Sequence, residues 1–85
     1  MQDSIRIYDN NGKTLDRYTI IFMDRPYSSD PGSVVKEALA ASEFPFESRG
    51  FGQHCGAMPG RHLGKRIKFE ELPKDVQAFV LQNME

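Results

Sequence analysis

His54, Cys55 and His62 are the histidines and the cysteine of this 85-residue sequence, and all three fall within nine positions. Imidazole and thiolate both bind zinc, and a thiolate beside an imidazole base is a standard nucleophile for hydrolysis. Arg49 and Arg61 would lower the thiol pKa, which favours a reactive Cys55. The count and the spacing work against both chemistries. A fourth ligand is not evident, structural zinc sites come as two paired ligand clusters, and adjacent His54 and Cys55 diverge in extended backbone. A catalytic pair also needs a pocket, an orienting third group and an oxyanion hole, for which Gln53 is the nearest candidate. The sequence therefore predicts no metal, no cofactor and no catalytic residue, with Cys55 as a small buried side chain. A small Cys/His thiol-dependent or metal-dependent hydrolase using His54, Cys55 and His62 is the alternative from another class.

The glycine clusters around these residues do not complete a phosphate loop. Gly50-Phe51-Gly52-Gln53-His54-Cys55-Gly56 has one residue too many for the dinucleotide fingerprint. Gly60-Arg61-His62-Leu63-Gly64-Lys65-Arg66 is one residue short of a P-loop and carries Arg where Ser or Thr must bind magnesium. Glu70 and Glu71 are adjacent and face apart, unlike a general acid and base pair.

Charge is the stronger signal. The chain has 11 bases and 12 acids, yet residues 49 to 68 hold Arg49, Arg61, Lys65, Arg66 and Lys68 with no acid, for a local charge of +5. The segments on either side each carry -3. Arg49, Phe51, Arg61, Lys65, Arg66 and Lys68 are thus the candidate partner-binding residues, offering cations and a stacking ring to an acidic surface. The competing explanation is that Arg66 and Lys68 only guard an edge strand against pairing. A pI near 6.1 repels a polyanion at long range and favours an acidic protein patch, with a nucleic-acid-binding module as a further alternative.

These residues must be held by a small scaffold. Leu, Ile, Val and Phe supply 20 of the 85 residues, enough for one thin core and one domain spanning residues 1–85. Ser4 to Tyr8 alternates as a strand, Asp9 to Gly12 supplies a turn, and Leu15 to Met23 resumes with Tyr18, Ile20 and Phe22 on one face. This second strand is apolar on both faces and is expected to be central. Val34 to Glu43 places Val34, Val35, Ala38 and Ala41 on one helical face, contains three alanines, and is predicted as a helix capped by Asp30 or Ser33. Residues 44 to 64 read as a long loop. Lys65 to Phe69 alternates as a third strand, and Leu72-Pro73 opens a helix with Val76, Phe79, Val80 and Met84 on one stripe. The expected fold is α+β, a three-stranded antiparallel sheet with two helices in the order β-β-α-loop-β-α. No apolar run approaches the roughly 20 residues of a membrane helix, no signal peptide is evident, and the single cysteine suits a reducing compartment. The expectation is a cytoplasmic protein with no membrane contact.

Asp16-Arg17-Tyr18-Thr19, Gly50-Phe51-Gly52-Gln53, His62-Leu63-Gly64-Lys65-Arg66-Ile67 and Leu72-Pro73-Lys74-Asp75-Val76-Gln77 follow one another in that order. Taken together they resemble small proteins encoded by bacteriophages and bacterial mobile elements, over most of the chain. That family has no assigned activity. The resemblance implies a bacterial or phage cytoplasmic setting and no catalytic residue to carry over. The expected function is non-enzymatic binding of a bacterial protein or nucleoprotein machine, as an accessory or inhibitory protein of phage origin.

Overall fold

A computed structural model of the chain describes residues 4–14, 16–27, 32, 34–46 and 52–84. Five strands form one antiparallel sheet: β1 Ile5–Asp9, β2 Tyr18–Pro26, β3 Lys36–Ala41, β4 Gly52–Ala57 and β5 Lys65–Ile67, in the spatial order β4-β3-β2-β1-β5. Two 3-10 turns, Arg61–Leu63 and Phe69–Glu71, flank β5, and a single α-helix, α1, runs from Lys74 to Met84. The α+β class stands. The expected three strands and two helices are corrected to five strands and one helix.

The β1–β2 hairpin follows directly from its residues. Asn11 and Gly12 take φ of 63° and 81°, the left-handed geometry that Asn and Gly tolerate best. Asn10 Oδ1 accepts hydrogen bonds from the backbone N–H groups of Gly12 and Lys13 at 2.9 and 3.1 Å, and Asp9 Oδ1 accepts from Asn11 N–H at 2.8 Å. The resulting register pairs Ile5 with Phe22, Ile7 with Ile20 and Asp9 with Tyr18. Pairing across a strand keeps same-face residues together, so Ile5, Ile7, Tyr18, Ile20 and Phe22 all face α1. Leu39 and Ala41 from β3 join them, and Leu72, Val76 and Val80 close the core from the other side. Arg25 ties the far end of α1 down, donating to the Met84 carbonyl at 3.3 Å while lying 4.5 Å over the Phe22 ring.

The predicted helix over Val34 to Glu43 is β3 from Lys36 to Ala41. Ala38, Leu39, Ala40 and Ala41 are at most 5% exposed, whereas a surface helix would leave part of this run in water. Alanine has the best helix propensity, but its small side chain also lets a strand be covered on both faces between two neighbours. Alternation sends Leu39 and Ala41 toward α1 and Ala38 to the opposite face, while Val34, expected on the helix's apolar face, precedes β3 and is 60% exposed. The proposed caps Asp30 and Ser33 lie outside the described residues.

The expected loop over 44 to 64 contains β4, which pairs with β3 along its whole length from Lys36↔Ala57 to Ala41↔Gly52. Its sequence, Gly-Gln-His-Cys-Gly-Ala, has no β-branched or aromatic residue, so no local preference announces it. The glycines accept rings from elsewhere: Phe79 covers Gly52 and Tyr27 covers Gly56. β5 stops at Ile67 rather than Phe69, which falls in the second 3-10 turn. The sheet face away from α1 carries a smaller apolar cluster of Tyr8, Ile21 and Ala38, against which Met23, Cys55, Ala57 and Leu63 pack. Among the described residues, no helix is long and apolar enough to cross a membrane.

Candidate partner-binding surface

The basic stretch enters the fold through Gly64. Its φ is 113°, and a Cβ there would stand 2.3 Å from the Asp9 carbonyl oxygen. Only glycine allows the chain leaving the Arg61–Leu63 turn to run this close to the end of β1. β5 then pairs with β1 in the register Ile7↔Ile67, Tyr8↔Arg66 and Asp9↔Lys65. Leu63 anchors the preceding turn to the face away from α1.

That register divides the cations that the sequence groups together. Lys65 lies on the α1 side opposite Asp9, whose carboxylate is already held by Arg17 through Nε at 2.7 Å and Nη2 at 3.1 Å. Arg17 Nη1 also donates to Glu43 at 3.0 Å. The Arg17 hydrogen bond holds the Asp9 carboxyl below the usual aspartate value, against the opposing effect of burial, with smaller help from the Asn11 N–H and the Lys65 charge. Arg17 in turn is pushed further up by Asp9. This cluster cross-links β1, the start of β2 and the end of β3, and exposed Lys65 adds only its nearby charge to Asp9.

Arg66 points to the opposite face, beside Tyr8. Carried one residue further, the same register sets Lys68 against Arg6, a half-buried cation of β1 on that face. Arg61 is exposed on the turn that Leu63 fixes to the same side. Arg61, Arg66 and Lys68 are exposed and make no side-chain ion pair among the described residues. Arg6 is the member that charge counting missed, because it sits some sixty residues earlier in an otherwise acidic segment; only the β1–β5 register reveals it. Arg49 and Phe51 lie outside the described residues.

Next to these cations is an open cleft of about 730 Å³, floored by Ile5, Ile7, Ile67 and Phe69 and rimmed by Arg66, Lys68, Glu70 and Glu71. It forms where β5 ends after three residues while β1 continues, and where the chain turns away into Phe69–Glu71. Glu71 closes that turn by accepting from Lys68 N–H at 2.6 Å, while its own N–H donates to the Lys68 carbonyl at 3.0 Å. The recess thus opens on the α1 side of the sheet at its β5 edge, and Arg66 and Lys68 reach its rim from the edge strand.

The Cys/His constellation is not assembled. His54 and Cys55 are neighbours on β4, so one faces α1 and the other the opposite side. Cys55 is half-buried against Ala38, and burial, with a smaller contribution from Asp16, pushes its thiol pKa up rather than down. The lowering by neighbouring arginines that the thiol-hydrolase alternative calls for is therefore not found at Cys55. His62 is exposed on the Arg61–Leu63 turn, and no group of three or more His, Cys, Asp or Glu side chains gathers to hold a metal among the described residues. Compared with protein-family models, with curated proteins and with solved structures, the chain matches none.

Proposed function

We propose that the chain is a non-enzymatic binding protein that holds an acidic protein surface through Arg61, Arg66 and Lys68, supported by Arg6 and the adjoining cleft. The observation that carries this reading is the placement of the cations. Arg17 is satisfied by two carboxylates and Lys65 lies on the α1 side opposite Asp9, whereas Arg66 lies on the other face and Arg61, Arg66 and Lys68 stand exposed with no ion pair among the described residues. Arginine presents a planar fork that can hold a carboxylate with two parallel hydrogen bonds, so Arg61 and Arg66 supply geometry as well as charge. The recess floored by Ile5, Ile7, Ile67 and Phe69 suits an apolar side chain of a protein partner. A protein is favoured over duplex DNA because the net charge of -1 opposes long-range attraction to a polyanion. The resemblance to phage and mobile-element proteins makes a bacterial protein or nucleoprotein complex the first place to look, with an accessory or inhibitory role.

The test is affinity capture from bacterial lysate with the wild-type chain and with Arg61→Glu/Arg66→Glu/Lys68→Glu, both checked for folding by circular dichroism. An acidic protein held by the first and lost by the second is the expected result. In isolated binding measurements the two arginine reversals should act mainly through a faster off-rate. Lys65→Glu should have little effect, since that side chain faces Asp9. Equal capture by the folded triple variant would overturn the assignment. Duplex DNA bound with log affinity falling steeply against log salt would replace it with the nucleic-acid alternative.

A further inference from the structure

The two edges of the sheet are built differently. β5 is three residues long and carries Lys65 and Arg66, the short and charged pattern that keeps an edge from pairing with another chain. β4 is six residues long, with no charged residue and no proline, and its ladder with β3 runs without a register shift. Every hydrogen bond of β4 among the described residues belongs to that ladder, so the outward-facing backbone groups of Gly52 to Ala57 have no partner there. Gly52, Gln53, His54 and Gly56 are exposed.

Apolar surface gathers at both ends of this open edge. Tyr27, Val34 and Met58 are 58%, 60% and 46% exposed at the Ala57 end, where Tyr27 lies over Gly56. Phe44 and Phe46 are 52% and 56% exposed at the Gly52 end, where Phe46 packs edge-on against Phe79 at 6.2 Å. Only Leu81 among the exposed large hydrophobic residues described lies elsewhere, on α1.

We propose that β4 pairs antiparallel with β4 of a second copy, joining two sheets into one of ten strands. The occupant follows from symmetry and charge. An antiparallel strand is its own complement under a two-fold axis, and an uncharged edge meets its copy without like-charge repulsion. The same axis brings the Tyr27, Val34 and Met58 end of one copy onto the Phe44 and Phe46 end of the other, so two unlike apolar clusters cover each other twice. An acidic or basic partner would find no counter-charge on this strand. The three half-exposed rings offer roughly 500 to 800 Å² over two copies, before Val34, Met58 and the strand backbone are counted. A specific interface needs about 1,000 Å² in total.

The axis stands perpendicular to the sheet, so facing residues must share a face and the centre must fall on a residue. Centring on Cys55 sets the two thiols against each other, Gln53 against Ala57, and each His54 against Gly56, beside the Tyr27 ring that covers that glycine. Centring on His54 would instead oppose two imidazoles. The Cys55 register is therefore the one assigned. It keeps α1 of both copies on one side and sends the two β5 edges, with their cations, to opposite ends of the assembly, independently of what those cations bind.

Sedimentation equilibrium of the purified full chain at micromolar to submillimolar concentration should report twice the 9.7 kDa monomer mass. Gln53→Lys/His54→Lys guards the exposed edge with charge and should weaken dimerisation by about tenfold or more without changing the circular dichroism spectrum. Gln53→Glu/His54→Glu should do the same, and mixing the two variants should restore a dimer containing one of each. Thiol oxidation of the wild-type dimer should give a Cys55–Cys55 cross-link that a reductant reverses. A monomer at every concentration, or a dimer indifferent to both charged variants, would overturn the proposal. A dimer that the charged variants break but oxidation does not cross-link would overturn the Cys55 register.

Discussion

Replacing Gly64 with alanine is expected to cost about 3 to 5 kcal/mol, out of the roughly 4 to 13 kcal/mol available to a chain of this size. Two effects add. A non-glycine residue held at φ 113° is strained by about 1 to 3 kcal/mol. The new Cβ would also lie 2.3 Å from the Asp9 carbonyl oxygen, 2.6 Å from its carbon and 2.7 Å from Asn10 Cα, all of them backbone atoms that no rotamer change can move. Ordinary contact begins near 3.4 Å, so Gly64 and the end of β1 must part by roughly 1 Å. Backbone hydrogen bonds near 2.9 Å do not survive such a shift, and the Ile7↔Ile67 to Asp9↔Lys65 ladder opens. Its two or three bonds contribute about 1 kcal/mol each.

Gly12→Ala is the control, because Gly12 has φ 81° but open space within 4 Å of its would-be Cβ. It should show backbone strain alone, about 1 to 2 kcal/mol. Urea unfolding followed by circular dichroism gives both values, and amide exchange at Ile7 and Ile67 locates the loss. The Gly64 variant should fray at β5 before it unfolds globally, and it should lose partner capture with every cation intact. A Gly64→Ala midpoint equal to that of Gly12→Ala would refute the close approach of Gly64 to β1 and, with it, the positioning of Arg66.

Asp9→Asn should make stability less dependent on acid. Its carboxyl is held below the usual aspartate value by Arg17, so the wild-type advantage is fully present above about pH 5 and disappears as pH falls through the depressed folded value. Urea midpoints of the two proteins should therefore converge in acid; a gap unchanged down to about pH 2 would contradict the Asp9–Arg17 assignment. Cys55 should alkylate more slowly in the folded chain than in urea, with the folded rate still rising above pH 9, because burial raises its pKa from 9.0. Rapid modification near neutral pH would instead restore the activated-thiol alternative.

The parts of the fold legible in the sequence are those in which local preference and tertiary environment agree. The Asp9-Asn10-Asn11-Gly12 turn, the Tyr18, Ile20 and Phe22 face, the central place of β2 and the Val76 and Val80 stripe of α1 all belong here. β3 and β4 fail together because they define each other. Ala38 to Ala41 has a helical propensity that is overridden once β2 and β4 flank it, and β4 has no strand preference apart from β3. A helix placed at Val34 to Glu43 removes the strand with which β4 pairs, so one misassignment produces the other.

The proposed surface rests on a charge pattern that the sequence shows and on a geometry that it does not. Counting found Arg61, Lys65, Arg66 and Lys68 as one run, but strand alternation divides any run by parity. Lys65 goes to the α1 side, where Asp9 and Arg17 already balance charge, while Arg66 goes to the other face. In the proposed surface Arg6 takes the vacated place, one residue beyond the last observed pair, Ile7↔Ile67. The edge-guard explanation and the binding explanation are then no longer competitors. A guard needs only charge on a short strand, which Lys65 and Arg66 supply from either face. A binding surface needs several cations on the same side, unpaired and next to a recess. Arg61, Arg66 and Lys68 are exposed and without an ion pair among the described residues, with Arg66 and Lys68 on the rim of the recess, and Lys65→Ala against Arg66→Ala separates the two roles: guarding should suffer from both substitutions, and capture from Arg66→Ala alone.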